Sequence, residues 1–520
     1  VRPSWLIAGI VTIAGLDILV LSGGPLTVPA LVAAFALLAA GIARLQGAHP
    51  ALRRRPVTFD RSEATAAMRW PIDYAAAGTI GVAAFVLSFV GYGRPDGSSC
   101  WTLGKISHCG IFDELYFARA GEEYLQNLRI YENTHPPLSK LLVTLSMMLF
   151  GGMPPGHGDN PYGWRFLDVV FGALAIVVLY AFGKRITGST LFASIAAVLL
   201  SLDGMHFVQS RIATPEGFVV FFSTGATYAL YRFWLASGRG QRSARGWLVL
   251  FSVALGCVVS TKWYGVMGFG VSFIVLFLLW RERRSFTIPR TLATIVFVSA
   301  AVYFAVWIPD LVRQSPDPGE IHSFDDVLSR QALMFEYHDT LRASHPYASK
   351  WWEWPLDYVP VAYFYEDRRA NTADPNGCCV YEITTLPNPA VLWFGLVSVP
   401  IVGWLGIARR HKGYVLIVLT YLMQWLPWME SPRITFAYHF YVDVPLVCLC
   451  DAIALQRLWE WGRGLPFPYA KLLSGLAPGA YVAVVALVFA FFYPILSAHG
   501  LTWAAWHERM WFQTWIIGPG

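Results

Sequence analysis

Two acids open the part of the chain that reads most like chemistry. Phe112-Asp113-Glu114-Leu115 begins a segment, Ile111 to Leu125, that reads as an amphipathic helix with Leu115, Ala118, Glu122 and Leu125 near one stripe. Neighbours on a helix point about 100° apart, so Asp113 and Glu114 cannot share one proton as a dyad and should hold separate roles. A positioned carboxylate can take a proton from a hydroxyl, whereas acids at a helix start can also simply favour the dipole. Further on, Asn133-Thr134-His135-Pro136-Pro137-Leu138-Ser139-Lys140 places a histidine at the head of a helix and a lysine one turn inside it. His135 and Lys140 are candidates for substrate contact; a lysine snorkelling to an interface is the plainer reading.

Cations supply the second signal. Arg165, Arg211, Lys262 and Arg433 each stand at one end of a different apolar run, in Gly163-Trp164-Arg165, Gln209-Ser210-Arg211, Ser260-Thr261-Lys262-Trp263 and Ser431-Pro432-Arg433. Basic groups at a membrane are costly when buried and need a partner, and one anionic lipid phosphate would satisfy several. A third stretch, Ser344-His345-Pro346 through Trp351-Trp352-Glu353-Trp354-Pro355, offers either an interfacial aromatic belt or a flat apolar wall for a sugar ring or lipid tail, with His345 as donor. Displacing phosphate from an anomeric carbon by a hydroxyl needs a base at the nucleophile and positive charge at the leaving oxygen.

The elements that must position these groups are membrane helices. The chain has 520 residues, 56% hydrophobic and 14% charged, against roughly 25% charged in soluble domains. Apolar runs at 5–22, 26–43, 72–93, 164–183, 189–203, 212–235, 246–262, 264–280, 291–309, 389–408, 413–429, 434–456 and 479–497 give about thirteen spans. The first has no cleavage site before Pro25 and reads as a retained span. With a cytoplasmic N-terminus, Arg53 to Arg55, Lys184 and Arg185, Arg239 to Arg245, Arg281 to Arg284 and Arg409 to Lys412 all fall inside. The net charge of +6 is thus accounted for by those loops, which argues against nucleic-acid binding. Pro136 to Phe150 reaches only about 22 Å, short of the roughly 30 Å core, and is expected to lie in the outer interface. Two long polar loops, 94–163 and 310–387, then face outside. Cys100 and Cys109 share one of them and Cys378 and Cys379 the other, as a disulfide or as free thiols. No metal-ligand spacing appears, and a divalent ion is left open.

Phe112-Asp113-Glu114-Leu115-Tyr116-Phe117, His135-Pro136-Pro137-Leu138-Ser139-Lys140, Gln209-Ser210-Arg211, Thr261-Lys262-Trp263, the His345 and Trp351 to Pro355 stretch, and Pro432-Arg433 with Tyr438-His439-Phe440 run in order along the chain. Together they resemble the protein O-mannosyltransferase family of GT-C membrane glycosyltransferases. The resemblance implies an all-α polytopic GT-C core at 72–500 with two long outer loops containing interfacial helices. An extra N-terminal hairpin with a basic cytoplasmic loop at 1–71 precedes it, and an outer tail at 501–520 follows. It implies a polyprenyl-phosphate-linked mannose donor, a serine or threonine acceptor on a translocated protein, and inversion, with no cofactor firmly implied. Asp113 then looks like the base and Glu114 an orienting residue, with Arg165, Gln209, Arg211, Lys262, Arg433 and His439 at the donor phosphate and His135, Lys140, His345, Trp352 and Trp354 at the substrate. The family commonly has an aspartate shortly after the arginine. This chain reads Ile212-Ala213-Thr214-Pro215-Glu216, which leaves that role to Glu216 or to no residue. No polar segment is large enough for the extra loop domain of eukaryotic members, which points to the bacterial type. Two alternatives stand beside this reading. One is a related GT-C transferase moving a lipid-linked pentose or other sugar to a lipid or glycan. The other is a transporter, which should show broken spans paired between halves and charges near the midplane.

Overall fold

The computed structural model describes residues 67–95, 97, 99–103, 106–151, 161–237, 240–281, 288–313, 320–368 and 379–516. The chain divides into two units, Val1–Thr58 and Phe59–Gly520. The expected N-terminal hairpin, spans 5–22 and 26–43, lies outside the described residues. In chain order the elements are α1 Ile72–Phe89, β1 Ser99–Leu103, β2 Ile106–Gly110, α2 Glu114–Leu125, α3 Leu138–Ser146, α4 Pro161–Thr187, α5 Thr190–Ser201, α6 Gly204–Gln209, α7 Pro215–Ser237, α8 Ser243–Thr261 and α9 Met267–Arg281. There follow α10 Ile288–Ala305, α11 Ile308–Val312, α12 Phe324–Thr340, β3 Val361–Asp367, β4 Val380–Thr385, α13 Pro389–Arg409, α14 Lys412–Trp425, α15 Val444–Gly464, α16 Pro468–Leu496 and α17 Trp503–His507.

Among the described residues, eight helices are long and apolar enough to cross a bilayer: 72–89, 161–187, 243–261, 263–280, 288–312, 389–409, 437–464 and 468–496. Each of the eleven runs expected from residue 72 onward contains a helix, but three are not among those eight. α5 has 12 residues and α14 has 14, about 18 and 21 Å of helix. α7 is longer, at 23 residues, and is buried along most of its length, including Glu216, Ser223, Thr224 and Thr227. A helix packed inside a bundle need not be apolar all round, so a composition test passes over it. The short run after His135 is helical over Leu138–Ser146 and continues in a wider turn, Met147–Gly151.

One apolar core joins α4, α5, α7, α8, α13, α14 and α15, and α15 runs through its middle. Polar caps tie helix ends together. Asp203 accepts from His206 N at 2.9 Å, starting α6, and its other oxygen accepts from Asn388 N at 2.8 Å. Asn388 starts α13 and donates its amide to Leu202 O at 2.9 Å and Val485 O at 3.0 Å. α1 and α4 run antiparallel: Asp73 meets Lys184 at 3.1 Å at one end, and Tyr92 O accepts from Arg165 Nη1 at 2.8 Å at the other.

That second end gathers the irregular elements. β1 and β2 form an antiparallel hairpin in which Cys100 faces Cys109, and the two are disulfide-bonded. β3 and β4 form a second hairpin. The expected outer tail is packed rather than separate. Leu501 bridges Val380, Trp506 Nε1 donates to Glu382, and Trp515 Nε1 donates to Asp357 O at 2.7 Å.

Candidate active site

Glu114 and Arg165 anchor this end. Both are buried, and the guanidinium grips the carboxylate twice, Nε to Oε1 at 2.6 Å and Nη2 to Oε2 at 2.7 Å. Oε2 also accepts from Ile111 N at 2.8 Å and Oε1 from Ala213 N at 3.0 Å. Arg165 gives its remaining donors to Tyr92 O and Pro95 O. Each Arg165 nitrogen thus has a partner inside the protein, an engagement the sequence did not announce beside the donor-phosphate role expected of it. Glu114 is an anchor for the loop ends.

Asp113 takes another direction. It stands just before α2, yet its side chain makes no capping bond, so the dipole reading does not explain it. Among the described residues no donor bonds its carboxylate, which is half-buried. Burial, and then the Glu216 carboxylate, push it up to about 7 against the pull of Lys262. A carboxyl that titrates near neutrality, with no hydrogen-bond partner among the described residues, is the result.

The cations divide. Lys262 Nζ pairs with Glu216 and lies 5.4 Å from the Tyr438 ring centre. Glu216, the acid that follows Arg211 in the sequence, is thereby placed beside Lys262. Arg211 is buried; its Nη2 donates to Val90 O at 3.0 Å, its guanidinium lies 4.5 Å over Phe207, and Nη1 has no hydrogen-bond partner among the described residues. Burial brings it down to about 10, so it stays a cation at neutral pH. A Cβ at Gly172 would collide with Ser210, so glycine lets the segment carrying Arg211 lie against α4. Arg433 Nη1 bonds His338 Nδ1, and His338 Nε2 lies 2.9 Å from Thr134 O. Burial, His135 and Arg433 push His338 down to about 4, leaving it neutral. A carbonyl can only accept, so Nε2 carries the proton and Nδ1 accepts from Arg433.

The His135 and Lys140 motif serves a different end from the one expected. Lys140 is buried, and its Nζ donates to Glu132 O and Glu132 Oε2 at 2.8 Å and to His135 O at 2.9 Å. All three protons are used within the protein, and the buried ammonium does not snorkel. His135 Nδ1 lies 2.9 Å from Glu132 Oε1, and its ring stands edge-on to His338 at 5.2 Å. Burial alone would raise Glu132; Lys140 and His135 outweigh it and hold the carboxyl well below its usual range.

Gln209 is buried, donating to Tyr363 OH at 2.8 Å and accepting from Thr214 Oγ1 at 3.2 Å, so it too is engaged by the protein. His439 is held at Phe436 O, 2.9 Å, between the rings of Trp428 and Trp354. Trp354 is 1% exposed and donates to Ser349 Oγ at 3.0 Å, which makes it a wall behind His439 and not an open sugar platform. Trp352 is half-buried on the same turn, and His345 remains on the exposed rim with Nδ1 accepting from Tyr347 N. Sequence reading missed Glu132, His338 and Tyr363. Glu132 stands three residues before His135 and could have been picked up by that spacing; His338 and Tyr363 come from the other loop with no local motif.

The bundle that carries this end, with an unpaired acid among inward-held cations and rings, has the fold of a GT-C membrane glycosyltransferase. The fold is similar to that of a protein O-mannosyltransferase complex of S. cerevisiae bound to the sugar donor, with TM-score 0.72 at 12% identity over 89% of this chain and 95% of that one. It is also similar to the Archaeoglobus fulgidus oligosaccharyltransferase in the apo form, with TM-score 0.51 and 14% identity over 84% of this chain and 57% of that one. Two family models match in succession, dolichyl-phosphate-mannose-protein mannosyltransferase over residues 100–311 and the C-terminal four-span region of protein-O-mannosyltransferase over 323–515. A polyprenol-phosphate-mannose–protein mannosyltransferase of Mycobacterium tuberculosis is 27% identical over 479 residues, covering 79% of this chain and 88% of the relative. The chain belongs to the protein O-mannosyltransferase family and is an integral membrane glycosyltransferase of the protein mannosyltransferase type.

Removing one member of a buried ion pair strands the other, which costs about 3–5 kcal/mol. Arg165→Met and Glu114→Gln should each lower the melting temperature of purified protein sharply. A variant of Arg165 with native stability and only donor binding lost would return it to the phosphate.

Proposed function

We propose that the enzyme moves mannose from a polyprenyl-phosphate-mannose lipid to serine or threonine hydroxyls of translocated proteins, at the outer face of a bacterial plasma membrane and with inversion. The observation that carries this reading is Asp113, the unpaired acid held within electrostatic reach of Lys262. The relatives' names support the donor and the acceptor class. Lys184 and Arg185 at the end of α4 and Arg409 and Arg410 at the end of α13, all at the opposite end, support the orientation, and the Cys100–Cys109 disulfide suits an oxidising outer compartment. The catalytic core takes in 72–500 and the packed tail to Trp515.

In this mechanism Asp113 accepts the hydroxyl proton as the hydroxyl oxygen bonds to the anomeric carbon. The bond from that carbon to the phosphate oxygen breaks on the opposite face, so one displacement inverts the centre. The electron pair leaves with the phosphate. Arg211, with its unpartnered nitrogen, is the first candidate to meet that charge; Lys262 and Arg433, each steadied by one neighbour, are the next. His439 and Gln209 act by holding rings and backbone in place.

Asp113→Asn should abolish transfer while leaving donor binding intact. Its folded value lies above the ordinary carboxylate range of about 4, so burying the ionised form costs stability above that pH. The amide should therefore melt no lower than wild type at neutral pH. For the same reason wild-type turnover should fall as pH drops through about 7. Near-normal transfer by the Asn variant would refute the base.

Neutral replacement of Arg211 or Lys262 should cut turnover about 10²-fold, as when one electrostatic stabiliser of a transition state is removed. Wild-type rates in Arg211→Gln would remove it from the phosphate.

The orientation is tested by single cysteines. One at Ala343 should react with an impermeant maleimide on intact cells and one at Gln241 only after permeabilisation. The reverse pattern would put the working face inside.

A further inference from the structure

Phe112, the residue before the proposed base, has a left-handed backbone, with φ of 48°. Bulky side chains rarely adopt that conformation, and where one does the surroundings must hold it. Here the holder is visible. The Phe112 ring stacks on Tyr363 of β3 with centres 4.1 Å apart and planes within 16°. Tyr438 meets the same ring edge-on at 6.0 Å, and the Tyr438 face carries Lys262 Nζ. Tyr363 is fixed in turn by Gln209, whose Nε2 donates to its hydroxyl.

The backbone around Asp113 is thus clamped on two sides. Below, Glu114 holds Ile111 N and Ala213 N and is itself held by Arg165. Beside it, Phe112 reaches across to the second outer loop. A right-handed turn at Phe112 would re-aim Asp113, since the two are adjacent, and Asp113 has no bonded partner of its own to correct its aim. We infer that Phe112 is a positioning residue for the base, its stack on Tyr363 fixing the turn from which Asp113 meets the acceptor hydroxyl. The inference rests on Asp113 being that base. It assigns the second loop a share in aiming a residue of the first.

Glycine separates backbone from ring, because it adopts positive φ freely and has nothing to stack. With purified enzyme in nanodiscs, polyprenyl-phosphate mannose and a threonine peptide, Phe112→Ala and Phe112→Gly should both lose kcat by about tenfold or more, the scale of a small misplacement. Donor Kd should stay within about twofold, because the phosphate cations are untouched. The acid limb of the kcat profile should move to lower pH as the carboxyl gains water. Phe112→Tyr should restore kcat and the limb. Tyr363→Leu should reproduce the loss of kcat, and it decides the matter if the Phe112 variants do not fold. Wild-type kcat in Phe112→Gly or Tyr363→Leu, or a loss confined to donor Kd, would overturn the inference. Wild-type transfer by Asp113→Asn would instead sink the base itself, a separate result.

Discussion

The buried bond between Glu114 and Arg165 is the constraint on which this end of the molecule depends. Four stretches that share no local sequence meet on it: the end of α1 through Tyr92 O, the start of α4 through Arg165, the loop before α2 through Ile111 N, and the segment before α7 through Ala213 N. In a medium of low dielectric an ion pair of this kind holds its geometry only if the remaining lone pairs and protons are matched. Here they are. The cost of burying two charges is offset by fixing where the neighbouring loops start, and the neighbour that gains most is Asp113, which need form no bond to be located.

The remaining charges are arranged so that cations do not collapse onto that acid. Lys262 is occupied by Glu216, and Lys140 by Glu132. Arg433 is held by a histidine that is neutral and so brings no added positive charge. The two carboxylate pairs lower the local field while keeping a cation in place, and the histidine fixes Arg433 without cancelling its charge. Arg211 is the exception: a buried guanidinium with a donor unspent.

Much of the fold was legible because apolar runs announce helices, and every run from residue 72 onward contains one. Three of them fall outside the eight that are long and apolar enough on their own, for one physical reason. α5, α7 and α14 are screened from lipid by other helices, so neither their length nor their composition has to satisfy the bilayer. The site was legible as motifs but not as roles. Arg165 and Arg211 look alike in sequence, each a cation at the end of an apolar run. What separates them is that a carboxylate from another loop reaches one and not the other. The partner of Lys140 was not legible because Glu132 precedes the motif, nor was the setting of Trp354, because burial, not residue type, decides whether a ring is a platform or a wall. His338 could not be seen at all, since its meaning comes from Thr134 and Arg433, both distant in sequence.

The helix Ala437–Gly464 is wholly enclosed over its most apolar stretch, whereas 72–89, 288–312 and 468–496 are each less than a third buried over theirs. It can therefore carry Asp451 at depth, matched by Ser398 at 2.5 Å and Tyr481 at 2.8 Å, without exposing an acid to hydrocarbon. Surface that could meet lipid over these apolar stretches thus lies on the outer helices, and the rings of Tyr438 and His439 stand at the head of a helix whose apolar stretch is packed on all sides by protein.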